Sequence, residues 1–235
     1  MDDKMQQSLI AVVGLLAICG VLVAGISFWL GEPDAAPQVN ITNDTPIDTP
    51  LVLEAIDQSD AEISNRMNPI AVLETNQGVI EIELYDDAMP ITAGNFMKLV
   101  NEGFYDGIKF HRVIEGFMIQ GGDPITKTDE VGRYGTGGPG YSIPDEHIAG
   151  EKLSNVRGSL SMANSGPNSG GSQFFINLSD NTNLDFDKPP AQSKHPVFGQ
   201  VVAGMDIIDA IAVVATGPSD QPLDPVVIER ATIKE

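Results

Sequence analysis

Residues 110–124 read FHRVIEGFMIQGGDP, and residues 158–178 read GSLSMANSGPNSGGSQFFINL. Together these two stretches supply one arginine, Arg112, two glutamines, Gln120 and Gln173, and several bulky apolar side chains. A guanidinium group is always charged, and it acts most strongly on a polar group when water is excluded from both. We interpret the pattern as a cationic donor held over an apolar pocket. Such a site suits the polarisation of a neutral amide in a reaction without a leaving group or a metal.

The rest of the chain from residue 70 onward consists mainly of short strand patterns separated by turn signals. Ile80, Ile82 and Leu84 alternate with polar residues after a turn, which is typical of a half-buried strand in a hairpin. Helical patterns occur only between Pro90 and Gly103 and at 205–213. The predicted strands are 70–75, 79–85, 108–114, 160–163, 174–178, 197–202 and 226–233. Many short strands with two helices predict a mainly β domain, folded as a closed antiparallel barrel.

A third segment, HPVFGQVVAGMDIID at 195–209, completes a pattern that resembles the cyclophilin family of peptidyl-prolyl cis–trans isomerases. The three segments have the order and spacing of that family, and the resemblance covers residues 69–235. It implies an eight-stranded antiparallel barrel capped by two helices. It also implies isomerisation of X–Pro bonds without a cofactor or a metal, acting on proline-containing unfolded or nascent polypeptides.

The resemblance also implies roles for individual residues. Arg112 matches the arginine that stabilises the twisted prolyl amide, whose nitrogen gains a lone pair as resonance is lost. Gln120 matches the glutamine that orients this arginine and the substrate carbonyl, and Phe117 completes the catalytic set. The matching substrate-binding positions are Met118, Ala163, Asn164, Gln173, Phe175, Leu184 and His195. We interpret His111 as structural.

Other kinds of site have little support in the sequence. The three histidines and the single cysteine have no zinc-type spacing. The glycine cluster at 135–140 lacks the Lys-Ser/Thr of a phosphate-binding loop, so we interpret it as a surface loop beside the proline pocket. The alternative to an enzyme is a non-catalytic chaperone module, tethered to the membrane, that binds proline-containing peptides. Arg112 favours the enzyme, because a pure binding module does not need it.

The chain is strongly acidic, with 13 Lys and Arg against 33 Asp and Glu and a net charge of −20. Nucleic-acid binding requires a basic face, so the charge argues against a nucleic-acid partner. We expect a monomer.

Residues 8–30, SLIAVVGLLAICGVLVAGISFWL, contain no charged side chain. As a helix they would be roughly 34 Å long, enough to cross a hydrocarbon core of about 30 Å. A cleaved signal peptide is the alternative, but the apolar stretch is long and no clear A-x-A site follows it. We therefore predict a short tail at 1–7, a single-pass anchor at 8–30, an acidic flexible linker at 31–68 and an isomerase domain at 69–235. Lys4 precedes the anchor, and no basic residue closely follows it, so the domain is expected outside the cytoplasm in a membrane-anchored prokaryotic form.

Overall fold

The computed structural model describes residues 67–148, 153–188 and 194–234. Within these ranges the strands are β1 (Ile70–Thr75), β2 (Gly78–Leu84), β3 (Lys109–Phe110), β4 (Arg112–Ile114), β5 (Met118–Gly121), β6 (Ser159–Met162), β7 (Phe174–Asn177), β8 (Val197–Ala203) and β9 (Val226–Lys234). The α-helices are α1 (Pro90–Asn101) and α2 (Met205–Ala212). Short 3-10 helices lie at Pro124–Lys127, Val131–Arg133, Thr182–Leu184 and Pro218–Asp220.

The predicted tail, the predicted anchor at 8–30 and nearly all of the predicted linker at 31–68 lie outside the described residues. Among the residues that are described, no helix is long and apolar enough to cross a membrane.

The strands form one antiparallel sheet in the order β3-β9-β1-β2-β8-β6-β7-β5-β4. The two strands at its ends, β3 and β4, are consecutive in the chain and separated only by His111. The sheet therefore curls nearly into a closed barrel, and β3 and β4 count as one interrupted strand among eight. This confirms the predicted mainly β barrel with two helices. The predicted strand at 108–114 is interrupted at His111, whose backbone N–H donates to the carbonyl of Gln120 at 3.0 Å.

Strand β5 was not predicted. Its sequence, Met118-Ile119-Gln120-Gly121, shows no clear alternation, because it is covered on both faces and three of its four residues are buried. The strand is also short and follows a tight turn in which Gly116 has a φ of 71°. A glycine adopts this left-handed conformation without the steric cost that a side chain would add. The turn folds β5 directly back on β4.

Aromatic rings fill the barrel interior. Phe96 of α1 is fully buried, and its ring centroid lies 4.9 Å from that of Tyr105 and 5.4 Å from those of Phe174 and Phe198. Pro90 begins α1, where its missing N–H costs nothing, and Gly103 follows the helix with a φ of 66°. The sequence therefore predicted the extent of this helix closely.

The alternation of side chains on β4, β5 and β7 separates the core from a second surface. One set of residues faces the barrel interior: Val113, Ile119, Phe174 and Ile176. Since successive side chains of a strand point to opposite faces, the other set faces outward: Arg112, Ile114, Met118, Gln120 and Phe175. The sequence-predicted catalytic and substrate-binding residues on these strands thus share the outer face of three adjacent strands.

Candidate active site

The strand register places an arginine, a glutamine and a phenylalanine in one row across the outer face. Arg112 of β4 lies opposite Gln120 of β5, and Gln120 lies opposite Phe175 of β7. Directly opposite residues have Cβ atoms about 4.5–5.5 Å apart. The row therefore sets a charged donor, an amide and an apolar ring side by side.

Beside this row lies a small apolar cluster that is separate from the barrel core. Met118, Phe175 and Leu184 form it, and each is less than a tenth exposed. The partly buried residues packed against it are Ile114, Phe117 and Ala163. The structure thus brings together apolar residues that are far apart in sequence, next to the row that contains Arg112.

His195 closes one side of this cluster. Its ring centroid lies 5.3 Å from that of Phe175, edge to face, and its Nδ1 lies 3.0 Å from the carbonyl oxygen of Met162. A carbonyl only accepts hydrogen bonds, so Nδ1 carries the proton and Nε2 is left as an acceptor. Burial lowers the pKa of His195, although its hydrogen bond to Met162 opposes the shift. His195 is therefore an uncharged ring beside the apolar cluster at neutral pH.

A chain of amide hydrogen bonds fixes the orientation of Gln120. Nε2 of Gln173 donates to the carbonyls of Gly135 and Gly137 at 3.0 and 2.8 Å. Because backbone carbonyls cannot donate, the amide of Gln173 has one orientation, and its Oε1 accepts from Nε2 of Gln120 at 2.9 Å. Oε1 of Gln120 is then the atom that remains to accept from Arg112 or from a substrate N–H. This relay of hydrogen bonds through Gln173 fixes which atom of the Gln120 amide donates and which accepts.

The loop that contains Gly135 and Gly137 is held in place by the buried carboxylate of Asp123. Asp123 is fully buried and accepts from the backbone N–H groups of Gly135, Gly137 and Ile125. A Cβ atom added to Gly137 would lie 2.1 Å from Oδ1 of Asp123, so only glycine fits there. The glycine cluster thus forms a structured loop, and part of it lines a cavity that also includes Gln120.

A cavity of about 470 Å³ lies between this loop and the segment after β6. Its lining includes Gln120, Gln173, Ala163 and Asn164. The side chain of Asn164 donates through Nδ2 to the carbonyl of Lys194 at 2.6 Å, which holds this segment in place beside the cavity. The structure therefore gathers all ten sequence-predicted site residues around the apolar cluster and this cavity.

The partner of Arg112 was not predicted from the sequence. Nε of Arg112 lies 3.4 Å from Oδ2 of Asp220, and both side chains are partly exposed. Asp220 and the preceding Ser219 have φ values of 59° and 61°. Left-handed backbone is costly for residues other than glycine and is concentrated at functional sites. Proline and glycine around this segment indicate a turn, but no local pattern indicates that the turn reaches residue 112.

The described residues include no group of three or more His, Cys, Asp or Glu side chains placed to hold a metal ion. The chemistry available in the site is that of one guanidinium, two oriented amides, an uncharged imidazole and an apolar pocket.

Comparison with known proteins agrees with this geometry. The sequence model of the family "Cyclophilin type peptidyl-prolyl cis-trans isomerase/CLD" matches residues 70–233. A peptidyl-prolyl cis-trans isomerase of Arabidopsis thaliana is 43% identical over 161 residues, which cover 68% of this chain and 93% of that protein. A putative bifunctional phosphatase/peptidyl-prolyl cis-trans isomerase of Streptococcus pyogenes is 39% identical over 195 residues, which cover 72% of this chain and 39% of that protein.

Among solved structures, a cyclophilin type isomerase of Cryptosporidium parvum, crystallised in the presence of the dipeptide Ala-Pro, superposes with a TM-score of 0.61. It is 31% identical in sequence, and the match covers 71% of this chain and 99% of that one.

Proposed function

Because the chain belongs to the cyclophilin-type peptidyl-prolyl cis–trans isomerases, we propose that it catalyses this isomerisation through Arg112, on unfolded or newly exported polypeptides outside the cytoplasm. The chain is an enzyme of this class. The observation that supports the proposed mechanism is the row formed by Arg112, Gln120 and Phe175 above the apolar cluster.

Rotation about an X–Pro bond must break amide resonance, which gives a barrier of about 18–20 kcal/mol. In the twisted state the prolyl nitrogen becomes pyramidal and gains a lone pair that the planar amide lacks. A guanidinium N–H directed at this lone pair stabilises the twisted state more than the planar ground state, which is the condition for catalysis. Arg112 supplies this donor, and no proton is transferred.

The neighbouring groups make the donor effective. The apolar cluster of Met118, Phe175 and Leu184 accepts the proline ring and excludes water, and a polar interaction is stronger where water is excluded. Oε1 of Gln120, oriented by Gln173, holds the substrate backbone or the guanidinium in place. His195, being uncharged, borders the proline ring without adding a second positive charge.

The proposed location follows from the N-terminal sequence. The uncharged residues 8–30 would anchor the chain in a membrane, and the acidic residues 31–68 would form a tether. The positive-inside rule then directs the domain to the extracytoplasmic side, where newly exported chains fold. X–Pro isomerisation takes tens to hundreds of seconds without a catalyst, slow enough to limit their folding.

The proposal is tested by measuring exchange between the cis and trans forms of an Ala-Pro peptide, by NMR, with the full chain in detergent and with the fragment 69–235. Both should accelerate the exchange after treatment with a chelator. The fragment is a suitable test protein, because the matched region makes up 93% of the Arabidopsis relative. Peptide binding without accelerated exchange would contradict the proposal and support a non-catalytic binding module.

A further inference from the structure

A second cavity, of about 710 Å³, borders Arg112 between two loops. We call it the flank cavity; its lining includes Arg112, Gln120, Val131, Tyr134, Pro218 and Asp220. We propose that the flank cavity is a substrate subsite that binds the bulky, uncharged apolar or aromatic side chain of a residue next to the isomerised proline. This inference rests on the proposed function, because it takes the prolyl bond to lie at Arg112.

The position of the flank cavity makes it part of the substrate path. It shares Gln120 and Gly135 with the cavity of about 470 Å³ described above. The two cavities therefore meet at Gln120. A peptide whose prolyl bond lies at Arg112 and Gln120 continues in two directions. One direction leads along Ala163 and Asn164, and the other leads into the flank cavity. Its volume is in the range of roughly 300–1,000 Å³ that is typical of ligand sites.

Two apolar side chains of one loop form a fixed wall. The hydroxyl of Tyr134 donates to the carbonyl of Thr128 at 2.7 Å and accepts from Nζ of Lys109 at 3.3 Å. The same Nζ lies 5.7 Å from the ring centroid of Tyr134. Tyr134 is therefore ordered before a ligand arrives. Val131, in the same loop, is half exposed and lines the flank cavity.

The charges of the flank cavity select against charged side chains. Its charged lining residues, Arg112 and Asp220, are paired with each other, and burial lowers the pKa of the lining histidine, His111, although nearby Asp123 opposes the shift. Because this pair is neutral overall, it offers neither a substrate carboxylate nor a substrate ammonium group an unpaired partner of opposite charge. An uncharged apolar side chain disturbs neither partner and contacts Val131, Tyr134 and Pro218.

The opposite wall of the flank cavity includes Ser219 and Asp220, whose backbone has a costly left-handed conformation. Ser219 and Asp220 account for two of the three non-glycine residues with positive φ in the described part of the chain. Such strain persists only where the surrounding structure enforces it, and it clusters at ligand clamps and active sites. Here it keeps the carboxylate of Asp220 at Arg112 and gives the cavity its width.

The test measures kcat/KM on peptides Ala-Ala-Xaa-Pro-Ala-Ala and Ala-Ala-Ala-Pro-Xaa-Ala, with Xaa as Ala, Leu, Phe, Glu or Lys. When Xaa is on one side of the proline, kcat/KM for the Leu and Phe peptides should exceed that for the Ala peptide by about tenfold, through a lower KM. The Glu and Lys peptides should show no such increase. Val131→Asp should reduce this preference to near unity. Val202→Asp, at a similarly exposed valine on β8, is the matched control and should keep it.

The possible results distinguish a failure of the proposed subsite from a failure of the proposed function. Activity on the all-alanine peptide without any preference for Leu or Phe would overturn the subsite alone, as would a preference that survives in Val131→Asp. Absence of activity on every peptide would overturn the proposed function itself. As an independent readout, the methyl NMR signals of Val131 in the unmodified chain should shift on binding of the Phe peptide. Signals that stay unchanged at saturation would also overturn the subsite.

Discussion

The guanidinium of Arg112 is held by the carboxylate of Asp220, with Nε 3.4 Å from Oδ2. Both side chains are nearly half exposed, so the pair contributes little to the free energy of unfolding, about 0–1 kcal/mol. The main effect of the pair is to orient the guanidinium of Arg112. The Nε–H is committed to Asp220, and the two terminal NH2 groups remain for a substrate.

Replacement of Asp220 should therefore affect turnover more than binding. In Asp220→Ala we expect kcat to fall about five- to tenfold with little change in KM, because the guanidinium loses its fixed orientation while the pocket is retained. Asp220→Asn should recover most of the rate, since the amide oxygen still accepts from Nε–H. Asp224→Ala, at an exposed position nearby, is the control. An increase in kcat in Asp220→Ala would show that Asp220 competes for Arg112 and does not position it.

The amide relay predicts a strong effect of Gln173→Glu. At neutral pH a carboxylate cannot donate to the carbonyls of Gly135 and Gly137, so the loop loses both hydrogen bonds and residue 173 loses its fixed position beside Gln120. We expect kcat/KM to fall about tenfold, because two hydrogen bonds worth about 0.5–1.5 kcal/mol each are lost and tenfold corresponds to about 1.4 kcal/mol. Gln77→Glu, at an exposed turn position, should leave the rate unchanged. Equal rates for both variants would show that the relay does not act in catalysis.

Two histidines whose pKa values are lowered by burial, His111 and His195, make stability depend on pH. Burial lowers the pKa of His111, although the carboxylate of Asp123 opposes the shift. Below the unfolded-state pKa of about 6.5, the unfolded chain takes up a proton that the folded chain does not, so stability falls as the pH drops from there toward the lowered pKa. Urea unfolding at pH 7.5 and pH 5.5 should show a smaller loss in His111→Gln than in the unmodified protein. The same loss in both would mean that His111 is not held neutral by the fold.

Membrane attachment is predicted from residues 8–30. The full chain should fractionate with membranes, and deletion of residues 1–31 should release an active soluble protein. Protease added outside cells whose outer layer is permeable or absent should cut within 32–68. Protection of this segment from the protease would mean that the orientation is reversed.

The fold was largely predictable because its signals are local. Alternating residues such as Ile80, Ile82 and Leu84 mark a half-buried strand, and Pro90 and Gly103 mark the ends of α1. Strand β5 was not predictable from periodicity, because both of its faces are covered and alternation is lost. The motif resemblance supplied the site residues, but not the contact between Arg112 and Asp220, which are 108 positions apart and meet only through the closure of the barrel.

In the proposed mechanism Arg112 stabilises the twisted prolyl amide and not merely the bound peptide. The most direct measurement compares kcat and the Kd for an Ala-Pro peptide in the unmodified chain and in Arg112→Ala, whose altered side chain is partly exposed and outside the barrel core. We expect kcat to fall about 100- to 1,000-fold, while the Kd changes by no more than a few-fold and the circular dichroism spectrum is retained. A folded Arg112→Ala variant with nearly unchanged kcat would contradict this mechanism.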